Sequence, residues 1–363
     1  MKIAVIAPVL RPILNQQKYG GIERIIKSLV LACCRSGDEV FLYAPTGTDL
    51  KHSNLTLIQT TDNDRAPSTR QAEINLFKRL VPESAQYDLV HSHIEPIIAQ
   101  DGNTNYLAQI KKPVVVTFHN QTYIKENIAY YKKHKELWDF NYVFISRNQA
   151  KPLSFLPNQT VIYNGINVQE FHLNLRPDPS QLAFLGRITP EKGIEEAITI
   201  AQRSDMELKI AALIDKSEQS YYRSKIKPLI DNKQIIFLGE VDFKQKEKLL
   251  GESCAYLFPI KWQEPFGLTV VESLAFGTPV VAFKTGSMPE IIEESRTGFL
   301  VNDTEEAVTA IKKVDKISRA DCRESVEKKF SEEIMVRNYR QLYKRILGSY
   351  FSLEAEVLNL PGL

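Results

Sequence analysis

The sequence predicts an α/β chain of two doubly wound parallel-sheet domains, and three observations carry that reading. The chain has 363 residues, more than one hydrophobic core ordinarily holds, so two domains are expected. Short β-branched runs, nearly continuous in hydrophobicity, alternate with helix-like stretches along almost the whole length. Parallel strands covered on both faces read this way. The alternation breaks at 164–179, around Asn164-Gly165 and Arg176-Pro177-Asp178-Pro179, and then starts again.

In the first half the strands fall at 3–8, 39–44, 89–94, 114–119, 142–146 and 160–163. Helices are expected at 22–36, 68–80 and 124–137. The second half repeats the rhythm with strands at 182–186, 208–213, 235–239, 255–259, 279–283 and 298–301. Its helices are expected at 190–202, 219–229, 244–250 and 267–276. A long helix over 331–347 closes the pattern. The domains are drawn at 1–167 and 168–330, followed by a terminal helical segment at 331–350. In two such sheets ligands gather at the carboxyl ends of the strands, and a cleft between the domains is the expected site.

Composition narrows the function classes. Hydrophobic content of 43% and charge of 25% are those of an ordinary globular chain. A net charge of +2 gives no electrostatic case for nucleic acid. No stretch approaches the 18 apolar residues of a membrane span, and the apolar opening at Met1–Pro8 is too short and strand-like for a signal peptide. Cys33, Cys34, Cys254 and Cys322 make no metal spacing, so a reduced, cytoplasmic chain is expected.

The segment Glu264-Pro265-Phe266-Gly267-Leu268-Thr269-Val270-Val271-Glu272 is the most informative. Glu264 precedes a Pro-Phe-Gly turn, and Glu272 lies inside an apolar run read as a helix, with Leu268, Thr269, Ala275 and Phe276 as its helical neighbours and Val270, Val271 and Leu274 on the opposite face. A carboxylate with no wet face needs a polar partner. A ligand would supply it; so would backbone N–H groups or an arginine.

Cations and helix ends supply the complementary chemistry. Gly20 and Gly21 precede a helix, where free N–H groups and close backbone approach suit a phosphate. Arg187 ends a strand, and Thr189-Pro190 reads as an N-cap and first helical position, which puts Lys192 in the first turn. The helix dipole disfavours a cation there by ~0.3–1 kcal/mol, so a diphosphate held by Arg187 and Lys192 would account for both. His91, His93 and His119 sit at strand ends. Three histidines can hold zinc, but no suitably spaced carboxylate supports it, and His119 is read as a cleft-facing hydrogen-bonding or acid–base group. Asp62-Asn63-Asp64 has a divalent-metal spacing but reads first as a solvated turn. The basic, aromatic run Tyr130-Tyr131-Lys132-Lys133-His134-Lys135 could touch an anionic membrane or acceptor, or be a solvated helix face.

Taken together, these pieces resemble a known family. Gly20-Gly21, Arg187 with Lys192, Glu264 with Glu272 around Pro-Phe-Gly, Leu89-Val90-His91-Ser92-His93, Val161-Ile162-Tyr163-Asn164-Gly165-Ile166, Ala275-Phe276-Gly277-Thr278-Pro279-Val280-Val281 and Gly286-Ser287-Met288-Pro289-Glu290 look like a retaining glycosyltransferase of GT-B architecture, family four, the group-1 type. The likeness runs from Lys2 to about Leu347. It implies two Rossmann-like domains facing across a cleft, an acceptor-side first domain, a sugar-nucleotide-binding second domain, and a terminal helix crossing back to the first.

The resemblance also implies roles. Arg187 and Lys192 would hold the donor diphosphate, with Gly20 and Gly21 approaching it. Glu272 would accept hydrogen bonds from the ribose. Glu264 would contact the donor sugar, the backbone N–H groups of Phe266, Gly267 and Leu268 would orient its hydroxyls, and His119 would lie beside it. Glu264 and His119 are thus the catalytic candidates. Transfer would be a metal-independent front-face displacement, with domain closure excluding water. No cofactor is implied, because the sugar nucleotide is a substrate. UDP-glucose is the first donor, another UDP-sugar or GDP-mannose the second. Related chains often carry a glycine where this one reads Ile210-Ala211-Ala212-Leu213-Ile214, which leaves the base open. The acceptor has no readable code; lipid, glycan, small metabolite and protein all fit, and peripheral membrane contact is compatible with the first. The alternatives are a GT-B-fold nucleotide-sugar epimerase and a non-catalytic nucleotide-sugar-binding protein. A dinucleotide-dependent dehydrogenase lacks its glycine fingerprint.

Overall fold

The computed structural model describes residues 1–15, 20–60 and 68–358. Asp62, Asn63 and Asp64, and Tyr19 ahead of the glycine pair, lie outside the described residues. The chain divides into two compact units, Met1–Gly165 with Glu332–Leu363, and Ile166–Ser331.

Unit 1 is built on strands β1 (Lys2–Ile6), β2 (Glu39–Pro45), β3 (Leu55–Thr60), β4 (Leu89–Ser92), β7 (Val114–Phe118), β8 (Asn141–Phe144) and β9 (Gln159–Val161), with a two-strand hairpin of β5 (Gln100–Asp101) and β6 (Thr104–Asn105). The seven strands run in the order β3-β2-β1-β4-β7-β8-β9, every pair parallel. The order reverses between β1 and β4, which makes that the switch point where doubly wound sheets bind ligands. Its helices are α1 (Gly21–Arg35), α2 (Thr69–Glu83), α3 (Gln121–Glu126), α4 (Ile128–Lys133) and α5 (Arg147–Ala150). Ser68 caps α2 by accepting from the Gln71 N–H. Val90, Val116, Phe118, Tyr142 and Phe144 fill the core from the sheet side.

Unit 2 carries β10 (Asp178–Arg187), β11 (Glu207–Leu213), β12 (Ile235–Gly239), β13 (Ser253–Phe258), β14 (Val280–Phe283) and β15 (Gly298–Val301). Their order is β12-β11-β10-β13-β14-β15, again all parallel, with the switch point between β10 and β13. The helices are α6 (Ile194–Arg203), α7 (Gln219–Tyr221), α8 (Phe243–Glu252), α9 (Leu268–Ala275), α10 (Met288–Ile291), α11 (Thr304–Ile311) and α12 (Arg319–Lys329). Asp242 and Gln245 close a capping box on α8. Arg319 is buried and satisfied by the carbonyls of Ser253 and Gly251 and by Thr278 Oγ1, which ties α12 to both ends of the α8–β13 corner.

The chain then returns to unit 1 through α13 (Glu332–Leu358). Tyr343 Oη sits 2.7 Å from His91 Nδ1, and Tyr339 Oη 3.1 Å from Thr117 Oγ1, both contacts buried.

Several expectations from sequence need correction. β3 was absent from the reading, because an edge strand with the half-exposed run Leu-Thr-Leu-Ile-Gln-Thr does not show the continuous burial of its neighbours. The helices α11 and α12 were also absent; α12 is mostly polar, with Cys322, Ser325 and Val326 as its buried stripe. The single helix expected at 124–137 is α3, α4 and a 3₁₀ turn at Lys135–Leu137, divided at Asn127 and His134. The four cysteines are free thiols. Among the described residues, no helix is long and apolar enough to cross a membrane.

Candidate functional site

The sequence-predicted residues of unit 2 gather at the carboxyl end of its sheet, around the β10–β13 switch point. β10 ends at Arg187, and Ile188 turns back by donating its N–H to the Leu213 carbonyl at 2.9 Å. The next residues are not the start of a helix. Pro190–Lys192 forms one 3₁₀ turn, Gly193 takes a left-handed conformation (φ 74°), and α6 begins only at Ile194. Thr189 makes no side-chain cap. Thr189 thus stands at the N-cap position of this turn and not of α6, and a Cβ on residue 193 would lie 1.9 Å from the Pro259 carbonyl oxygen. That close approach brings the 190–192 turn against the segment after β13. Lys261 N–H donates to the Glu191 carbonyl at 2.8 Å.

Lys192 thereby reaches Glu264. Its ammonium lies 2.7 Å from Oε2, with each side chain only 16% exposed. Trp262 Nε1 donates to the same oxygen at 2.8 Å, and its ring centroid is 5.4 Å from the Lys192 nitrogen. Glu264 is further held through its backbone, whose carbonyl accepts from Ser287 N–H at 3.0 Å. Ser287 Oγ donates to the Phe266 carbonyl at 2.6 Å, and the Phe266 ring is buried against Phe330. Gly267 takes the N-cap position of α9 and Leu268 its first turn, where the leading N–H groups have no partner within the helix.

Glu272, about one turn into α9, is 2% exposed. One partner is a lysine. Lys246 of α8 places Nζ 2.8 Å from Oε2, with 13% of the lysine side chain and 3% of the glutamate side chain exposed. Sequence reasoning missed Lys246. A signal was present: it sits three residues after Phe243 and four before Leu250, on the apolar stripe of α8. Trp262 is likewise a direct contact. Arg187 is the more exposed cation, 46%, and lies 3.5 Å from Asp215 beyond β11. Arg187 and Lys192 are thus held by different carboxylates, where a shared helix end was expected.

Unit 1 places its own polar residues at the β1–β4–β7 edge. Gly20 is the N-cap of α1 and Gly21 its first residue. His91 is bonded on both ring nitrogens, to Tyr343 and, at 2.8 Å, to Thr117 Oγ1, so it is a structural group that seats α13. His93 Nδ1 and His119 Nε2 are 2.8 Å apart with stacked rings. The three rings do not converge on one point. Among the described residues, no group of three His, Cys, Asp or Glu side chains is arranged to hold a metal. Burial pushes His119 down to about 4 and His91 down to about 3, the latter with help from the nearby His119. His93 is lowered for the same reason. All three are neutral at pH 7. Two carboxyls that sequence reasoning passed over, Glu73 of α2 and Glu95 after β4, are buried and raised to about 7. Burial is the main cause for each, opposed at Glu73 by the Val9 N–H. The Tyr130–Lys135 run lies on α4 and the following turn, where Lys135 covers the Trp138 ring and Lys132 lies 5.6 Å from that of Phe155.

The comparisons with known proteins bear on the family and the fold. The family model described as glycosyl transferases group 1 matches residues 166–332, and that described as glycosyltransferase family 4 matches 19–170. An uncharacterised 41.2 kDa protein of the cps region of Klebsiella pneumoniae is 29% identical over 217 residues, 55% of this chain and 56% of that protein. Across the first curated relatives the match spans about half their length, 40% to 59%. Among solved structures, the sucrose-phosphate synthase of Thermosynechococcus elongatus has a TM-score of 0.76 at 18% identity, covering 96% of this chain and 99% of that one. HepE of Anabaena, solved in complex with UDP and glucose, has a TM-score of 0.69 at 16% identity, covering 95% and 99%. These likenesses establish the fold. With the two family models spanning 19–332 between them, the chain belongs to the group-1 glycosyltransferases of GT-B architecture.

Proposed function

We propose that the chain moves a hexose from a nucleotide-diphospho sugar, UDP-glucose first, to a hydroxyl of a lipid, glycan, small-metabolite or protein acceptor, with retention of anomeric configuration. The observation that carries this reading is the paired acids and lysines at the switch point of unit 2, Lys192 with Glu264 and Lys246 with Glu272. An apolar helix that keeps a buried carboxylate, next to a turn that keeps a cation, suits a ligand with hydroxyls at one end and a diphosphate at the other. In this reading Arg187 and Lys192 bind the diphosphate. Glu272 accepts from the ribose, Glu264 contacts the donor sugar, and the backbone N–H groups of Phe266, Gly267 and Leu268 orient its hydroxyls. In unit 1 it assigns Gly20 and Gly21 to a phosphate and neutral His119 to a sugar hydroxyl. HepE, solved with UDP and glucose, is the neighbour that supports UDP-glucose as first donor.

The chemistry follows from the charge that must be stabilised. The bond from the anomeric carbon to the diphosphate oxygen breaks, and the acceptor oxygen bonds to that carbon on the same face. The acceptor's proton passes to the departing phosphate oxygen. Arg187 and Lys192 offset the charge developing there. No metal or cofactor is required.

The test is incubation with UDP-glucose, UDP-galactose, UDP-N-acetylglucosamine and GDP-mannose, following nucleoside diphosphate release and product by NMR. Release with an α-linked product supports the reading. A β-linked product overturns retention. An epimerised donor without release means an isomerase, and tight binding of a donor without turnover over an acceptor panel means a binding protein.

A further inference from the structure

Lys246 is the contact of this site that sequence motifs do not contain. It comes from α8, 26 residues before Glu272, and its ammonium meets the carboxylate oxygen at 2.8 Å. Its nitrogen stands 5.0 Å from the ring centroid of Phe243 and 5.9 Å from that of Phe171, so the cation is drawn in among aromatic faces. The helix it reaches is mostly apolar, with Val270, Val271 and Leu274 wholly buried, and Glu272 is its one charged residue. Stability alone does not ask for this arrangement. An apolar pair of the same volume would join α8 to α9 as well or better, because withdrawing two charges from water offsets most of their attraction. A lysine that pins a nearly buried carboxylate at the ligand edge of a parallel sheet therefore points to use of the charge.

We propose that Lys246 is a positioning residue for nucleotide recognition: it neutralises and pins Glu272 so that this carboxylate accepts the ribose hydroxyls, and the pair makes the site select ribonucleotides over 2′-deoxyribonucleotides. This rests on the donor-site reading above. Lys246 itself touches no ligand. Its effect passes through Glu272 and is felt only where a ribose hydroxyl is present to be held.

The experiment is calorimetric titration of the full chain with UDP, GDP and ADP, then of the tightest binder against its 2′-deoxy analogue, for wild type, Lys246→Met and Lys246→Arg. Wild type is expected to prefer the ribo form. Lys246→Met is expected to bind the ribo form about tenfold to a hundredfold more weakly, the range for losing one charge-assisted hydrogen bond. Its affinity for the deoxy form should change little, so discrimination collapses, and Lys246→Arg should restore part of it. Lys246→Gln, which keeps a hydrogen-bond donor without the charge, replaces the Met variant if that does not fold. Equal weakening of both nucleotides, or none, overturns the role of Lys246 while leaving the donor site standing. Wild type binding none of the three diphosphates overturns both.

Discussion

At Glu264 and Glu272 two acids are each held by a lysine from another element, and neither pairing is a surface ion pair. Replacing one partner leaves the other charged and largely out of water, which costs about 3–5 kcal/mol for a buried pair and less where solvent reaches it. Lys192→Ala is therefore expected to lower kcat/KM by about 10²–10³, as for loss of a group that stabilises transition-state charge. The circular dichroism spectrum should be unchanged. An initial-rate assay at wild-type level would remove Lys192 from the site. Glu95 offers a stability test with a definite sign. Its carboxyl is raised from 4.5 to about 7 in the folded chain. That contribution is fully present below pH 4.5 and is lost as pH rises through 7, at about 1.4 kcal/mol per pH unit, about 3 kcal/mol in all. Glu95→Gln removes the loss, so its Tm relative to wild type should be higher at pH 8 than at pH 4.5. A Tm difference that is flat with pH would contradict the assignment. His91 and His119, lowered to about 3 and about 4, act in the opposite sense, since stability falls as pH drops from 6.5 toward those values.

Among elements, the turns that place the acids matter as much as the helices that carry them. Gly193 lets the 190–192 turn close on Pro259, and Gly286 does the same for Glu264. A Cβ at 286 would lie 2.6 Å from the Glu264 nitrogen and 2.5 Å from its carbonyl oxygen, at φ 57°. Gly286→Ala should therefore cost at least about 2 kcal/mol through strain in a left-handed backbone. It should also lower kcat/KM about 10- to 100-fold by displacing Glu264, without removing any functional group. Thermal melts and steady-state rates on the same preparation check both, and a variant with normal kcat/KM would show that Glu264 need not stay where it is. Helix α8 makes the complementary point. Its capping box and its apolar stripe were readable, but that the lysine on the stripe meets an acid on α9 was not.

For the whole molecule, the two sheets share one plan, with the order reversing beside the first strand of each. Both sets of polar residues stand at the carboxyl ends of strands flanking that reversal, where parallel sheets expose backbone N–H groups and helix starts. Because the proposed reading assigns charge stabilisation to Arg187, Lys192 and helix ends, turnover is expected to persist in excess EDTA. Strict dependence on Mn²⁺ or Mg²⁺ would instead direct attention to Asp62 and Asp64. Saturation with the cognate nucleoside diphosphate at a hundredfold excess over Kd should stabilise the chain by about 2.7 kcal/mol, read as a rise in Tm. No rise with UDP, GDP or ADP would count against the donor site.

By itself the sequence determined the class of the chain. Twelve apolar runs marked twelve of the thirteen strands of the two main sheets, because a strand buried on both faces writes its burial into consecutive residues. It also singled out Glu272, since a charge in an apolar run breaks a local rule that one stretch of chain is enough to reveal, and Glu264, Arg187 and Lys192 by their places before a Pro-Phe-Gly turn and after a strand. Only the tertiary structure decided their partners. That Lys192 answers Glu264, Lys246 answers Glu272, Arg187 goes to Asp215, and His91 turns to α13 while His93 turns to His119 are facts of long-range approach. Separations of 26 to 252 residues leave no periodic trace in the sequence, because they are set by how whole elements pack and not by the spacing of neighbours along the chain.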